Sequence, residues 1–458
     1  MCIRQNFILF TAVHDAVADE TRSSYIQYTR GSRKVKRIMK KFEKKIVISA
    51  LVLGMGAATL SGCGRKEKTI GDFSSYAIKV DEFTVPDNVR IVGLGEATHG
   101  NVEFQELKLD VFSRLVETAN VRGLVLEGDF GGCAIANDYI LYDRGDVDTA
   151  IRRLGYRVYC TEQMKELVTW MHDYNAEATE DDKVRLYGAD VQYFDYALEY
   201  MGNFLTYCES DYADEFAKKA AELYEEDGMT LKKTDKSIYT SFLDEAEKKI
   251  EENRESFTTK TDDEEVERAL QNVQALRDNV EYCMSGQMSG TRDAYMKEMI
   301  DWALGMEEEK HDAKVMFASH NGHMSRAKIS AYNSCGMALA EEYGEDYFAI
   351  GTDYYNTECN LPEGAQRITQ TFCSDDILAA QLKDMEENMY YLDFDGAADS
   401  AKLSEILNKP MTTGSLGESY TPAMKVVKKM VQVNVAPSKM YDAMIFVYDA
   451  TPTEILEK

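Results

Sequence analysis

The body of this chain has little positive charge. Its 458 residues include 52 Lys and Arg against 80 Asp and Glu, a formal net charge of −28, and the pI is near 4.7. Many of the basic residues are concentrated near the start of the chain. A protein that binds nucleic acid needs a cluster of Lys and Arg to contact the phosphates. The composition therefore excludes nucleic acid as an expected partner.

The sequence also lacks the local signatures of several chemical sites. It has nine cysteines but no C-x-x-C pair, so neither a zinc knuckle nor a complete disulfide framework is indicated. One or two disulfides remain compatible with a location outside the membrane. No G-x-S-x-G motif is present, which disfavours a covalent serine hydrolase. A hydrolase with this sequence is expected to use water as its nucleophile.

The first part of the chain has the pattern of a targeting segment. The cationic stretch "MKKFEKK", which begins at Met39, is followed by the apolar run "IVISALVLGMGAATL" and by "LSGC", which ends at Cys63. This pattern resembles a bacterial lipoprotein signal. It predicts lipidation of Cys63 and an extracytoplasmic body that is anchored to the bacterial cell membrane. A single transmembrane anchor fits less well, because the apolar run is short and contains glycines. We interpret residues 1–38 as an over-extended start that precedes the true initiator.

Short apolar runs that stop at a glycine or a polar residue recur along the body. The clearest are "NVRIVGLGEATHG", "VRGLVLEGDFGG", "KVRLYGADVQ", "KVMFASHNGHMS", "DYFAIGTDY" and "DAMIFVYDATP". Helical patterns separate them, for example "EFQELKLDVFSRLVETAN" and "EQMKELVTWMHDYN". Strands that alternate with helices predict an α/β fold with a largely parallel sheet flanked by helices.

The middle of the chain departs from this alternation, because it is highly charged and poor in glycine. Its apolar residues repeat at helical spacing, as in Val266, Leu270, Val273, Leu276 and Val280. Such a stripe is more typical of helix packing than of a cofactor site, so we expect an inserted helical domain. The predicted units are a start and signal (1–62), a first part of the core (63–195), the helical insert (196–300), and a second part of the core with a small α+β region (301–458).

Polar residues with catalytic potential follow the predicted strands. They are Glu96 and His99 after the first strand, Glu127 and Asp129 after the second, Asp190 after the third, and His320 and His323 after the fourth. The carboxyl ends of parallel strands meet at one edge of the sheet, where ligands bind. A water molecule held there among His99, Glu96 and Glu127 could be deprotonated for attack on a carbonyl.

The segment "HNGH", from His320 to His323, leaves a second interpretation open. Histidines three residues apart on a helical turn can share a metal ion, and carboxylates could complete its coordination. No cofactor is firmly predicted, but a divalent metal such as zinc, bound by His99, His320 and His323, is the alternative to a metal-free site. Gly322 between the two histidines makes a regular helix less certain.

Seven motifs resemble, in order, those of the erythromycin esterase family. They are "GLGEATHGNVEF", "LVLEGDFGG", "WMHDYN", "YGADVQ", "RDAYMKEMIDW", "VMFASHNGHMS" and "DAMIFVYDATPT", and they span about Ile91 to Thr453. The resemblance implies an α/β core with a helical domain, and the hydrolysis of an ester or a macrolide-type lactone by a histidine-activated water. It implies a general base at His99 with Glu96 as its partner. The further catalytic residues that it implies are Glu127, His320 and His323.

The substrate-binding residues that we predict are Lys108, Asp129, Asp190 and Asn321. Lys108 stands nine residues beyond His99, where the resemblance implies an arginine. A lysine keeps the charge but lacks the planar fork of a guanidinium, so contacts at this position are expected to differ from those of the macrolide-hydrolysing members.

The lipoprotein signal is a second departure from the family, whose resistance esterases are expected in the cytoplasm. It keeps open a non-catalytic or metal-binding lipoprotein on the same fold. The presence of Glu96, His99 and Glu127 favours the enzyme, because binding alone would not need these carboxylates.

Overall fold

The computed structural model describes residues 69–329, 332–364 and 366–456. The predicted signal segment and the predicted lipidation site, Cys63, lie outside these ranges. Within them, no helix combines the length and the apolar character that a membrane crossing requires. All seven cysteines of the described ranges are free thiols, so the disulfides considered above are not formed there.

A mixed and mostly parallel sheet organises the chain. The strands found in the described residues are β1 Ile91–Glu96, β2 Val121–Asp129, β3 Arg185–Asp190, β4 Lys314–His320, β5 Tyr347–Glu363, β6 Gln366–Cys373, β7 Met389–Asp393, β8 Met411–Gly414, β9 Gln432–Val435 and β10 Ala443–Ala450. Their order in the main sheet is β3-β2-β4-β1-β5-β10-β7. The first six of these run parallel and correspond to the six apolar runs, so the predicted α/β fold is confirmed.

Helices connect and cover these strands. In the described part of the chain the α-helices are α1 Phe73–Tyr76, α2 Val102–Thr118, α3 Phe130–Tyr142, α4 Val147–Arg153, α5 Glu162–Glu177, α6 Asp195–Tyr207, α7 Ala213–Leu223, α8 Lys236–Glu252, α9 Arg254–Lys260, α10 Asp263–Met284, α11 Ser289–His311, α12 Asn321–Met324, α13 Cys335–Tyr343, α14 Phe394–Ala397, α15 Ala401–Leu407 and α16 Pro437–Met440. Short 3-10 turns lie between several of them.

The core strands bury side chains on both faces of the sheet. In β4, Met316 and Ala318 belong to the hydrophobic cluster that includes α2 and α5. Val315 and Phe317 belong to the cluster on the other face, which includes α11 and α13. Because successive residues of a strand point to opposite faces, a strand covered on both sides reads as a continuous apolar run. This explains why the strand positions could be read from the sequence.

The segment between β3 and β4 forms helices α6 to α11. A third hydrophobic cluster joins α6 to α10 and contacts α3 of the core through Ala134. Four residues of the predicted stripe are buried in this cluster, and Leu270 packs against it. The stripe therefore serves helix packing, and α11 leads from these helices back to the sheet.

The chain after Thr352 adds strands to the same sheet. The segment "RITQTFC" lies in β6, which pairs antiparallel with the outer half of β5. The segment "NMYYLDFD" contains β7, which pairs antiparallel with β10 at the sheet edge. Only β8 and β9 form a separate two-stranded sheet among the described residues, so most of the small α+β region extends the core.

Candidate functional site

Strands β2, β4 and β1 are neighbours and end side by side. In the parallel pairing of β1 with β4, Glu96 lies opposite His320. Glu127 at the end of β2 accepts a 2.8 Å hydrogen bond at Oε2 from the backbone N–H of His320. The rings of His99 and His320 are 5.2 Å apart between centroids. The strand ends therefore gather these four predicted residues into one site.

Glu96 fixes the orientation of the His99 imidazole. Its Oε1 accepts a 2.6 Å hydrogen bond from His99 Nδ1. A carboxylate can only accept, so the proton of neutral His99 resides on Nδ1 and Nε2 is the basic atom. His99 Nε2 makes no hydrogen bond to any described residue. The pair therefore has the geometry of a general base with its orienting carboxylate.

Lys108 contacts the second carboxylate oxygen of Glu96. Its Nζ donates a 2.5 Å hydrogen bond to Glu96 Oε2, and only 1% of the lysine is exposed. It lies on the buried face of α2 together with Phe104, Val111 and Leu115. Lys108 thus neutralises Glu96 inside the protein, which differs from the substrate-binding role predicted for it.

Burial and charge act in opposite directions on the pKa values of this pair. Burial by itself would lower the pKa of His99, but the adjacent Glu96 carboxylate raises it above its usual value. Burial would raise the pKa of Glu96, but Lys108 and His99 bring it below its usual value. Glu96 is therefore ionised at neutral pH, and His99 gains basicity from it.

Arg292, near the start of α11, joins the carboxylates of two strands. Its Nη2 donates a 2.8 Å hydrogen bond to Glu127 Oε1, and its Nε lies 3.0 Å from both carboxylate oxygens of Asp190. Tyr156 also donates to Asp190. Burial would raise the pKa of Glu127, but His323 and Arg292 hold it well below its usual value. Both oxygens of Glu127 are thus engaged, and the group is ionised.

A second imidazole–carboxylate pair supports this cluster. His323 Nδ1 lies 3.0 Å from both carboxylate oxygens of Asp293, and its Nε2 lies 3.3 Å from Glu127 Oε1. Burial would lower the pKa of His323, but chiefly Glu127 raises it to about 9. Glu127 and Asp293 thus favour the protonated form of His323, against the opposing charge of Arg292.

His320 differs from both neighbouring histidines. Its Nδ1 accepts a 3.0 Å hydrogen bond from the backbone N–H of Gly322, so the proton of the neutral ring is on Nε2. Burial, and next the charge of His99, lower the pKa of His320 to about 4. Its Nε2 is buried and has no hydrogen-bond partner among the described residues. His320 is therefore a neutral N–H donor whose hydrogen bond is not made within the described residues.

Two residues predicted to bind substrate have structural partners instead. Asn321 Nδ2 donates a 2.8 Å hydrogen bond to the backbone oxygen of Thr352 and so ties β4 to β5. A Cβ atom at position 95 would lie 2.1 Å from Asn321 Oδ1, which explains why this position is a glycine. Asp129 accepts from the Gly132 N–H at 2.7 Å and caps α3. Both residues shape the framework of the site, whereas Asp190 reaches it through Arg292.

The donor set does not fit the predicted metal site. The Nδ1–carboxylate contacts of His99 and His323 are ones that metal-binding histidines also make, but His320 accepts a backbone N–H at Nδ1, so its Nε2 carries a proton and is not free to bind a metal ion. The Nε2 of His323 lies 3.1 Å from Arg292 Nη1, whose positive charge opposes a cation there. Across the described ranges, no group of three or more His, Cys, Asp or Glu residues could hold a metal ion.

Sequence reasoning missed two charged members of the site, Arg292 and Asp293. Both belong to the motif "RDAYMKEMIDW", which marked the resemblance but received no role. Their helix follows a long insertion, so their position in the site could not be inferred from the ends of the strands. An adjacent Arg-Asp pair at the start of a helix that returns to the sheet was the available signal.

Comparison with known proteins agrees with this architecture. The family model described as erythromycin esterase matches residues 116–450, a range that begins after Glu96 and His99 and includes Glu127, Arg292 and His323. A solved protein from Bacillus cereus is 22% identical, with 84% of this chain and 98% of that chain covered and a TM-score of 0.66. At this identity the likeness shows the fold.

Two further solved structures share the fold. A succinoglycan biosynthesis protein is 20% identical, with 84% of this chain and 97% of that chain covered and a TM-score of 0.63. A mutant of the erythromycin esterase EreC in its open conformation is 16% identical, with 81% and 93% covered and a TM-score of 0.54.

Proposed function

We propose that this chain, which belongs to the erythromycin esterase family, hydrolyses an ester or lactone with a water molecule that His99 activates. The observation that carries the proposal is the 2.6 Å pair of Glu96 and His99, set beside the partnerless Nε2–H of neutral His320. A base and a hydrogen-bond donor at one site are what attack of water on a carbonyl requires.

In the first step, His99 Nε2 takes a proton from water as the water oxygen attacks the carbonyl carbon. Glu96 stabilises the imidazolium that forms, as a buried carboxylate does in hydrolytic triads. The carbonyl π electrons move to oxygen, and the Nε2–H of His320 donates to that developing oxyanion. A neutral donor suits this task because its proton is retained throughout.

In the second step, the tetrahedral intermediate collapses and its bond to the alcohol oxygen breaks. The imidazolium of His99 returns its proton to this leaving oxygen, so that the products are a carboxylic acid and an alcohol. For a lactone, both groups remain in one ring-opened molecule. His99 ends the cycle neutral and Glu96 remains ionised, so no further reagent is needed.

We assign positioning roles to Glu127, Arg292 and His323. Glu127 holds the backbone of His320 through a 2.8 Å hydrogen bond, and Arg292 and His323 keep Glu127 ionised. An ionised carboxylate cannot act as a general acid. We therefore assign Glu127 to the alignment of the His320 donor, and we assign no step to a metal ion.

The substrate class follows from the family, in which a macrolide lactone is the named candidate. Lys108 is buried against Glu96. The change from the arginine that the resemblance implies therefore affects the Glu96–His99 pair and not the residues that would contact the substrate. Macrolide specificity is therefore expected to depend on residues other than Lys108.

A screen of the purified full chain against macrolides and simpler lactones, with and without a chelator, tests the proposal. We expect ring opening of at least one lactone and no loss of rate with the chelator. If no ester or lactone is cleaved under any condition, the non-catalytic binding protein becomes the better account. Loss of activity with the chelator that zinc restores would contradict the metal-free mechanism.

The pH dependence of activity gives a separate test. Protonated His99 cannot accept a proton, so kcat/KM should rise with pH through a pKa above 6.5, the ordinary value from which Glu96 raises it. In Glu96→Gln the raising charge is gone, and this rise should move to lower pH while the plateau rate falls. An acid limb that stays in place in the variant would show that another group controls it.

A further inference from the structure

A surface turn near the end of the chain combines exposed apolar side chains with lysines. This segment, residues 422–431, has the sequence "PAMKVVKKMV" and contains no Asp or Glu; we call it the basic turn. Its Val426 is 82% exposed, and Val427 and Met430 are each nearly half exposed. Neighbouring apolar side chains in water mark contact surfaces for proteins or membranes.

Two buried residues hold the basic turn on the body of the protein. Met424 and Val431 belong to the hydrophobic cluster that includes α2 and α5. Between them, Lys425 Nζ donates a 2.7 Å hydrogen bond to the backbone oxygen of Thr371 in β6. The turn is therefore fixed at both ends, and its valines are exposed because of where the backbone is held.

A second exposed segment lies beside the basic turn. Lys428 forms an ion pair with Asp375, and Ile377, two residues further along the chain, is 40% exposed. Gln432, just after the turn, donates a 2.7 Å hydrogen bond to the backbone oxygen of Ser374. The exposed apolar side chains in this region therefore come from two parts of the chain.

The start of the described chain lies next to Ile377. The Gln381 side chain accepts a 2.7 Å hydrogen bond from the Ile70 backbone N–H and donates a 2.7 Å hydrogen bond to the Ile377 backbone oxygen. The predicted lipidation site, Cys63, stands seven residues before Ile70. Seven residues span at most about 25 Å, so a lipid on Cys63 would keep this surface close to a membrane.

The charge of this region differs from that of the whole protein. Residues 419–441 contain four lysines and no Asp or Glu, whereas the chain has 80 acidic residues against 52 basic ones. Asp375 offsets part of the positive charge through Lys428. An acidic body is repelled by an anionic lipid surface, and local lysines reverse that repulsion. Electrostatics therefore favours the approach of this surface to anionic lipid.

The composition of the basic turn favours a lipid surface over a protein partner. Protein interfaces depend most on Trp, Tyr and Arg, and the turn has none of these residues. Apolar side chains between lysines suit a bilayer, where the valines enter the interface and the long lysine side chains contact lipid phosphates. A second copy of the chain would bring the same lysines and would be repelled.

We propose that the basic turn and Ile377 form a membrane-contact surface, in which Val426 and Val427 enter an anionic lipid bilayer and the lysines contact its phosphates. This contact would set the orientation of the protein on the membrane. It goes beyond the proposed hydrolysis, because none of these residues belongs to the site that we assign to it.

Tryptophan quenching by brominated lipids tests this contact. The full chain with Val426→Trp is reconstituted in phosphatidylglycerol vesicles whose acyl chains are brominated near the headgroup, and the unsubstituted chain gives the background of Trp170 and Trp302. We expect loss of about half or more of the added emission, since interfacial side chains reach this depth. Ile238→Trp, at a 41% exposed position on α8, is the matched control and should lose none.

Charge variants of the full chain test the role of the lysines. Lys428→Gln with Lys429→Glu should remove most of the quenching at position 426, whereas Lys248→Glu with Lys249→Gln, the same change in charge on α8, should leave it unchanged. Circular dichroism establishes that each variant is folded. If Lys428→Gln disturbs the turn through its ion pair with Asp375, Lys429→Glu alone carries the comparison against Lys248→Glu.

Four results would contradict the membrane contact. They are no added quenching with Val426→Trp, equal quenching with Ile238→Trp, quenching that persists in the folded lysine variants, and equal quenching in zwitterionic phosphatidylcholine vesicles. Self-association in light scattering that Val426→Asp abolishes would assign the surface to a second copy of the chain instead.

Discussion

Replacing His99 with glutamine should lower kcat by about 10² to 10⁴-fold on any lactone that the intact protein opens, the usual contribution of a positioned general base. Glutamine keeps a polar side chain near Glu96 but cannot accept and return a proton. His99 is assigned as the base because its Nδ1 donates to the Glu96 carboxylate, which Lys108 neutralises. Steady-state kinetics on the purified variant measures the loss.

His172→Gln is the matched control for this experiment. His172 lies on α5 and contacts Asp143 and Asp173 at the surface, so its loss should leave kcat unchanged. Circular dichroism should show the same fold for both variants. A His99→Gln enzyme that is folded and retains the full kcat would refute the assignment of the base.

Replacing His320 with alanine should lower kcat by about 10² to 10³-fold with little change in KM, as expected for a donor that acts on the developing oxyanion. The motivating observation is the buried Nε2 of His320, which has no partner in the described residues. A neutral donor contributes little to binding of the substrate carbonyl before the reaction begins, so its loss should affect kcat more than KM.

His320→Gln separates this role from a structural one. A glutamine amide can donate a hydrogen bond toward the same region, so it should recover part of the lost kcat. Equal losses in both variants, together with a lowered melting temperature, would indicate that His320 only packs the strand ends. A large rise in KM at constant kcat would instead assign it to substrate binding.

The assembly of the site from strand ends could be predicted from the sequence. Glu96, Glu127 and His320 end three runs whose apolar character indicated parallel strands, and such strands align their carboxyl ends. The structure places them side by side. The physical reason is that the sheet fixes the backbone, and the position of a residue within its strand then decides where its side chain lies.

The burial of Lys108 could have been predicted but was not. Phe104, Lys108, Val111 and Leu115 have helical spacing on one apolar face, so a cation at this position must be buried and paired. Its position nine residues after His99 suggested a substrate contact instead. The helix pattern was the better guide to the environment of this residue.

The roles of the three histidines could not be predicted from sequence. His99 and His323 contact carboxylates, whereas His320 accepts a backbone N–H from Gly322. These partners determine which ring nitrogen carries the proton and which ring is charged. They depend on Arg292 and Asp293, which arrive from a helix beyond a long insertion, and spacing along the chain gives no information on that contact.

The measurement that tests water attack at the carbonyl most directly is hydrolysis of a lactone in ¹⁸O-water, followed by mass spectrometry of the ring-opened acid. The account predicts one ¹⁸O atom, located in the carboxylate and not in the alcohol, and product formation that is slower by about 10² to 10⁴-fold with His99→Gln. Label in the alcohol, or label-free product formed at full rate, would contradict attack of a His99-activated water on the carbonyl.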